Sequence, residues 1–208
     1  MIKVMLVDDH DIAREGYKLL LEKANIQVAA EARSGEEAYA NYGQVSPDIA
    51  IVDMSMPGMS GIATIKKIKN KYPEAKLLAL SVHDDFIFTS RAIAAGASGY
   101  VTKSSAPQFL VEAIKKIEDG GIFISGDLAL KILEHKGSDA EIVKKLNDSE
   151  FEVLRLMGLG DSLDDISQKL SLSYNTIANI QTHIKRKLEI STREELIMAA
   201  IRLKIVKS

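Results

Sequence analysis

The sequence predicts an α/β fold followed by a small all-α unit: a (βα)5 doubly wound parallel sheet, strand order 2-1-3-4-5, then a four-helix bundle containing a helix-turn-helix. Three observations carry this. Short apolar, β-branched runs alternate with amphipathic stretches over the first ~120 residues, as buried parallel strands and their crossover helices require. Turn-forming residues punctuate the joints between them. From Leu146 onward the apolar spacing is helical throughout.

The expected strands are Ile2–Val7, Val28–Ala32, Ile49–Val52, Leu77–Ser81 and Gly99–Thr102. Between and after them, three- and four-residue apolar spacing predicts helices over Ile12–Lys23, Gly35–Tyr42, Gly61–Lys71, Phe86–Ala95 and Pro107–Asp119. Ser46-Pro47-Asp48, Pro57-Gly58, Tyr72-Pro73 and Gly120-Gly121 mark turns. The domains are read as 1–121, a connector 122–143 with a short helix Asp127–His135, and 144–208. In the last of these, Asn147 with Glu150 three residues on forms a capping box for a helix Asp148–Met157. Helices Leu163–Leu170, Tyr174–Leu188 and Thr192–Leu203 follow, the first two joined by a tight Ser171-Leu172-Ser173 turn.

Composition narrows the function classes. With no cysteine among 208 residues, disulfides and cysteine-based zinc or redox sites are excluded. The N-terminus lacks the basic start and apolar core of a signal peptide, and no apolar run approaches the ~20 residues of a membrane span. The expectation is a cytoplasmic protein with no membrane partner. Its formal charge of −2 divides into +2 from Lys144 onward, with 11 Lys+Arg against 9 Asp+Glu, and −4 before it. An acidic first part and a mildly basic second part fit a division of labour.

In an open parallel sheet, ligands bind at the carboxyl ends of the strands. Asp8 and Asp9 follow the first strand and Asp53 the third, and in a 2-1-3-4-5 order those ends are neighbours. Three crowded carboxylates repel, and a hard divalent cation with oxygen ligands, Mg²⁺, relieves them. Ser81 and Lys103 close the fourth and fifth strands on the same crevice. A hydroxyl, an ammonium and a cation around a carboxylate can cradle phosphoryl oxygens while a phosphoryl group transfers onto Asp53. His10 and His83 flank this face and read as loop residues.

This set resembles the response-regulator receiver domain, a flavodoxin- and CheY-like fold, over roughly residues 1–121. The resemblance implies that Asp53 is the phosphoacceptor, Asp8 and Asp9 the acidic pair, Ser81 the switch hydroxyl and Lys103 the family lysine. Tyr100 matches the aromatic whose rotamer follows phosphorylation. It further implies Mg²⁺ held by Asp9, Asp53 and the Ser55 backbone carbonyl, with Asp8 alongside. The stretch Asp53-Met-Ser-Met-Pro57-Gly-Met-Ser-Gly61 matches the family's loop after the acceptor.

In the second part, Ile177, Ile180, Ile184 and Leu188 form the expected buried stripe of the long helix. The opposite face carries Asn175, Ala178, Asn179, Thr182 and Arg186. Asn and Thr can bond base edges, and a small Ala admits a thymine methyl. Lys185-Arg186-Lys187 can meet phosphates. The landmarks Leu146-Asn-Asp-Ser-Glu150-Phe-Glu-Val-Leu154, Gly160, Ile166, Leu170, Ser173, Thr176-Ile177, Ile184 and Lys187-Leu188 resemble the LuxR-type output domain, so the chain looks like a NarL/FixJ-family response regulator.

That resemblance implies a two-component transcriptional regulator. A sensor histidine kinase or small phosphodonor would phosphorylate it, and it would bind double-stranded DNA as a homodimer through its fourth helix. Base-proximal residues would be Ala178, Asn179 and Thr182. Departures are Ala178 and Ile180, where relatives usually carry Lys and His, and Asp164, where a basic phosphate contact is common.

Two other classes are weighed beside it. One is a regulator whose bundle engages a protein instead of DNA. The other is a stand-alone Mg²⁺-dependent aspartyl-phosphate phosphatase. Against that one, Asp8-Asp9-His10-Asp11 is read as lacking the nucleophile-first Asp-x-Asp spacing of haloacid-dehalogenase phosphatases.

Overall fold

A computed structural model describes residues 1–84, 86–125, 128, 142–143 and 145–206, and the chain divides into two compact units, Met1–Leu133 and Glu134–Ser208. In the first, β1 (Lys3–Val7), α1 (Asp11–Lys23), β2 (Gln27–Ala32), α2 (Gly35–Val45), β3 (Ile49–Asp53) and α3 (Gly61–Lys71) alternate. They continue into β4 (Leu77–Ser81), α4 (Phe86–Ala94), β5 (Gly99–Thr102), α5 (Ala106–Glu118) and β6 (Phe123–Ile124). The sheet is parallel with order β2-β1-β3-β4-β5-β6. The sequence-based order therefore stands, extended by one strand at the edge.

That sixth strand corrects a five-stranded expectation. Gly120, at a backbone φ of +83°, turns the chain out of α5, and Phe123 N–H then donates to the Ser98 carbonyl at 3.2 Å. Two residues are too few to show a period of their own. Strand β5 is consequently an interior strand.

Strands β3, β4 and β5 are buried along their whole length, and β1 is buried from Val4 onward. Helices cover both faces, which is why these runs are apolar without alternation. On one side Leu6, Leu21, Ile51, Leu80, Leu110 and Ile114 belong to a single apolar cluster. Register then fixes the site. Val7 pairs with Val52, so Asp8 comes level with Asp53, the last residue of β3; Ser81 pairs with Thr102, the residue before Lys103.

Most helix limits fall within a residue of expectation, and the larger difference, in α2, has a visible reason. Helix α2 runs past Tyr42 to Val45 because Gly43 is tolerated mid-helix: a Cβ there would collide with the Tyr72 hydroxyl. Its end comes at Ser46, left-handed at φ 44°, whose N–H takes the Tyr42 carbonyl at 2.9 Å. Gly61 opens α3 directly against the acceptor strand. A Cβ there would meet the Asp53 carbonyl and lie 2.6 Å from the Met54 Cα, so only glycine lets this loop close under β3.

The second unit holds α6 (Asp148–Gly158), α7 (Leu163–Leu170), α8 (Tyr174–Leu188) and α9 (Arg193–Arg202). The capping box at Asn147 is present: Glu150 N–H reaches Asn147 Oδ1 at 2.9 Å and Asn147 N–H reaches Glu150 Oε2 at 2.8 Å. Ser162 with Asp165 and Thr192 with Glu195 cap α7 and α9 in the same way. Helix α7 stops at Ser171, left-handed at φ 53°, and Ser173 then accepts from Thr176 N–H at 3.1 Å to start α8. Helices α8 and α9 both pack on α6, and α8 also on α7, around Phe151, Leu154, Met157, Ile166, Ile177, Ile184 and Leu196. The expected connector helix Asp127–His135 lies outside the described residues except for Leu128.

Candidate phosphoacceptor crevice and recognition helix

Strand tips bring the acidic residues and the lysine to one spot. Lys103 Nζ donates to Asp53 Oδ2 at 2.7 Å and to Asp8 Oδ2 at 2.8 Å. Asp53 is fully buried, and the Ser55 N–H reaches its other oxygen at 3.1 Å. Burial pushes the Asp53 carboxyl above its ordinary value, against the Lys103 and Ser55 hydrogen bonds that pull it down. Burial would lower Lys103, but its bonds to Asp53 and Asp8 outweigh that and hold it charged.

Asp8, Asp9, His10 and Asp53 each offer a ligand atom, and those atoms all lie within 4.8 Å of one another. Asp9 Oδ1 is buried without a hydrogen-bond partner; His10 Nδ1 is 3.1 Å away but not aligned as a donor. Three carboxylates against one ammonium leave two formal negative charges. An orphaned oxygen and that charge excess fit a hard divalent cation, so the donor set suits Mg²⁺.

Ser81 is fully buried, its Oγ accepting the His83 N–H at 3.1 Å, and its carbonyl accepts from Lys103 N–H. Tyr100 is fully buried too, its hydroxyl donating to the His83 carbonyl at 2.9 Å, while the His83 ring stacks on Phe88 at 3.8 Å. The His83 backbone therefore joins the Ser81 and Tyr100 hydroxyls. His10, in its loop, sets a ring nitrogen 3.2 Å from Asp8 Oδ1. Both histidines touch the site more closely than their sequence positions indicate.

Asp9 and Asp11 do stand in an Asp-x-Asp spacing, which corrects the sequence reading. Asp11 is nonetheless committed elsewhere: its Oδ1 accepts from Arg14 Nη2 at 2.6 Å and faces Arg33 at 3.3 Å.

On α8, Asn175, Asn179, Thr182, His183 and Arg186 are exposed, with Ala178 and Lys185 partly so. Ile177 and Ile184 are buried as expected, whereas Ile180 and Leu188 are only half-buried. The Thr182 hydroxyl bonds back to the Ala178 carbonyl at 3.0 Å. Lys187 departs from the expected phosphate-facing trio. Its Nζ donates to Glu150 Oε2 at 2.6 Å and to the Lys145 carbonyl at 3.0 Å, tying α8 to the start of α6. Asp164 is exposed on the first turn of α7.

Residues 4–115 match the response regulator receiver domain and residues 144–200 the luxR family of bacterial regulatory proteins. The chain belongs to the response regulators. Its relatives include the oxygen regulatory protein NreC of Staphylococcus haemolyticus, 32% identical over 99% of both chains. The response regulator UvrY of Escherichia coli is 33% identical over 97% of this chain and 94% of its own. Among solved structures, RcsB from Salmonella enterica serovar Typhimurium, bound to a promoter in the presence of the phosphomimetic BeF3-, is similar at a TM-score of 0.71, with 27% identity over 99% of both chains.

In this response regulator, Asp8, Asp53 and Lys103 meet directly, and Asp9 stands beside them. Sequence reasoning passed over Arg14, whose guanidinium is buried beneath the acidic pair. One signal was available: an arginine inside an otherwise core-facing register of the first helix requires partners. It also missed Tyr17, half-buried within electrostatic reach of Lys103, Asp8 and Asp53 and pushed up by burial. No helix among the described residues is long and apolar enough to cross a membrane.

Proposed function

We propose that Asp53 accepts a phosphoryl group from a sensor histidine kinase or a small phosphodonor, and that this controls binding of double-stranded DNA by α8. The observation that carries it is the paired Asp53–Lys103–Asp8 contact at a buried strand end, beside an unsatisfied Asp9 oxygen. Asp9, Asp53 and the Ser55 carbonyl would hold the metal, with Asp8 next to it. When bound, Mg²⁺ supplies charge neutralisation for the phosphoryl oxygens.

Asp53 attacks phosphorus with a carboxylate oxygen. An O–P bond forms as the donor's N–P or O–P bond breaks, and the electron pair leaves with the donor. Burial keeps water from competing, and Lys103 moves from Asp53 Oδ2 to a phosphoryl oxygen. Ser81 gives up its His83 contact to bond another, and the shared His83 backbone passes that change to Tyr100. The phosphorylated state is a shifted population of an existing equilibrium.

At the other end, Asn175, Ala178, Asn179 and Thr182 are assigned to base edges and Lys185 and Arg186 to phosphates. Thr182 would exchange its Ala178 bond for a base. A homodimer places two copies of α8 on two half-sites. RcsB, 26% identical, has been solved as dimers bound to DNA, which supports this reading. The cytoplasm is the compartment where these partners meet.

Genomic footprinting of wild type beside Asp53→Ala, with acetyl phosphate and Mg²⁺, tests both halves. Wild type should gain protection of discrete sites and Asp53→Ala should not. Equal protection by the two proteins would separate DNA binding from phosphorylation. Absence of DNA binding even at low salt would favour a protein partner for the bundle.

A further inference from the structure

We infer that Arg14 is the positioning residue of the metal-binding loop, setting from below the backbone from which Asp9 reaches the crevice. The inference rests on the metal-assisted reading above and names the part of this chain that makes it work. Arg14 lies on α1 with its side chain 7% exposed. A buried guanidinium needs acceptors, and it finds them on three segments. Its Nη1 donates to the Asp8 carbonyl at 2.8 Å, its Nε to Glu31 Oε2 at 2.9 Å, and its Nη2 to Asp11 Oδ1 at 2.6 Å. Glu31 is held in turn by Lys18 at 3.2 Å.

The first contact matters most. The Asp8 carbonyl belongs to the peptide whose nitrogen is that of Asp9. Asp8 is already fixed by its N–H to the Ala32 carbonyl at 3.1 Å and by Lys103 on its side chain. Asp9 has no such bond on its Oδ1, which faces only the exposed His10 ring at 3.1 Å, so its position depends chiefly on the plane of the peptide before it. The guanidinium fork holds that plane. Lysine is not a substitute, because a single ammonium lacks the planar fork that reaches three acceptors in fixed directions.

An outer group that orients a ligand typically changes metal affinity by ~10–100-fold when removed. Full-length wild type, R14K, R14M, E31Q, D9N and R33M are titrated with Mn²⁺ by electron paramagnetic resonance without phosphodonor. Acetyl phosphate labelling at rising Mg²⁺ follows. Wild type should bind Mn²⁺, D9N should lose binding, and R14K and R14M should bind roughly 10–100-fold more weakly. E31Q, which keeps Arg14 but replaces the charged acceptor of its Nε–H with a weaker neutral one, should shift less in the same direction. R33M should behave as wild type, since Arg33 is exposed and meets the Asp11 oxygen at 3.3 Å, an oxygen that Arg14 already holds at 2.6 Å.

Saturating Mg²⁺ should restore the labelling rate of R14K, because the defect lies in metal affinity. Wild-type Mn²⁺ affinity in R14K overturns the proposal, as does a labelling deficit that excess metal leaves in place. If both Arg14 variants fail to fold, E31Q decides: an unshifted affinity overturns the inference and a weakened one supports it. A wild type that binds no Mn²⁺ overturns the metal-assisted reading itself, a different result from an Arg14 variant that binds equally well.

Discussion

The two units treat charge in opposite ways. In the receiver crevice most charged groups are buried and paired, Asp9 being the exception: Asp53 is fully covered, Lys103 bridges it to Asp8, and Arg14 is enclosed. On α8 most polar groups stand in solvent, and Lys187, though exposed, turns its ammonium to Glu150 and the Lys145 carbonyl. The difference follows from the work proposed for each. Transfer onto a carboxylate gains from fixed charges in a dry site, where they need not reorganise. Reading a DNA groove needs side chains that reach outward and trade water for base edges.

Removing the ammonium that joins the carboxylates is the most severe way to break this contrast. Lys103→Met should slow acetyl phosphate labelling of Asp53 by ~10²–10³-fold, the scale seen when one preorganised charge-stabilising donor is deleted. Rate measurement at saturating Mg²⁺ checks it. Labelling at the wild-type rate would mean that the crevice's buried charges do not act on the transfer.

The ion pair between buried Glu150 and the more exposed Lys187 is the next test. Because Lys187 remains partly exposed, Glu150→Gln should cost about 2–3 kcal/mol, at or below the usual range for breaking a buried pair. Burial raises the Glu150 carboxyl, but Lys187 and the Asn147 N–H outweigh it and hold it below the ordinary 4.5. A depressed carboxyl adds stability above its unfolded value, and that stability disappears as pH falls through the folded value. Hydrogen exchange of α6 and α8 amides should therefore quicken below about pH 4.5, and less steeply in Glu150→Gln.

Asp53 carries the opposite sign. Its folded value is raised, so the native state binds the extra proton and ionisation above that value works against folding. Without Mg²⁺, Asp53→Asn should leave the receiver's strand amides at least as protected as wild type at neutral pH. The advantage should vanish below the ordinary 3.8. Weaker protection in the variant would show that the Lys103 pair dominates burial.

Effects on the recognition helix should be smaller. Asn179→Ala should weaken specific binding by ~1–3 kcal/mol at one base position. Arg186→Ala should weaken all sequences alike and reduce the salt slope by about 1. Smallest is Asp164→Asn, with a gain of up to about 1 kcal/mol at low salt that fades as salt screens it. Gel shifts across a salt series measure all three.

The parallel order and the meeting of Asp8, Asp53 and Lys103 were legible because apolar runs locate the strand ends and the repeated strand–helix alternation implies how those strands are ordered. The capping box at Asn147 and the stop at Ser171 were legible from local sequence, whereas the box of Thr192 with Glu195 was passed over, Thr192 having been read as the first residue of its helix. Strand β6 was not, since two residues carry no period. Nor was the commitment of Lys187, because its partners Glu150 and Lys145 lie 37 and 42 residues away. Arg14 escaped attention because a lone arginine reads as solvated until its three acceptors are assembled around it.

Strand β6 has a mechanical consequence. Tyr100 is in register with Ile124, the last residue before the chain leaves the sheet. Tyr100, whose hydroxyl bonds the His83 carbonyl beside the crevice, and the edge strand are thus adjacent rungs of one ladder. A shift of the Tyr100 ring would reach that edge strand through the hydrogen bonds of the sheet alone.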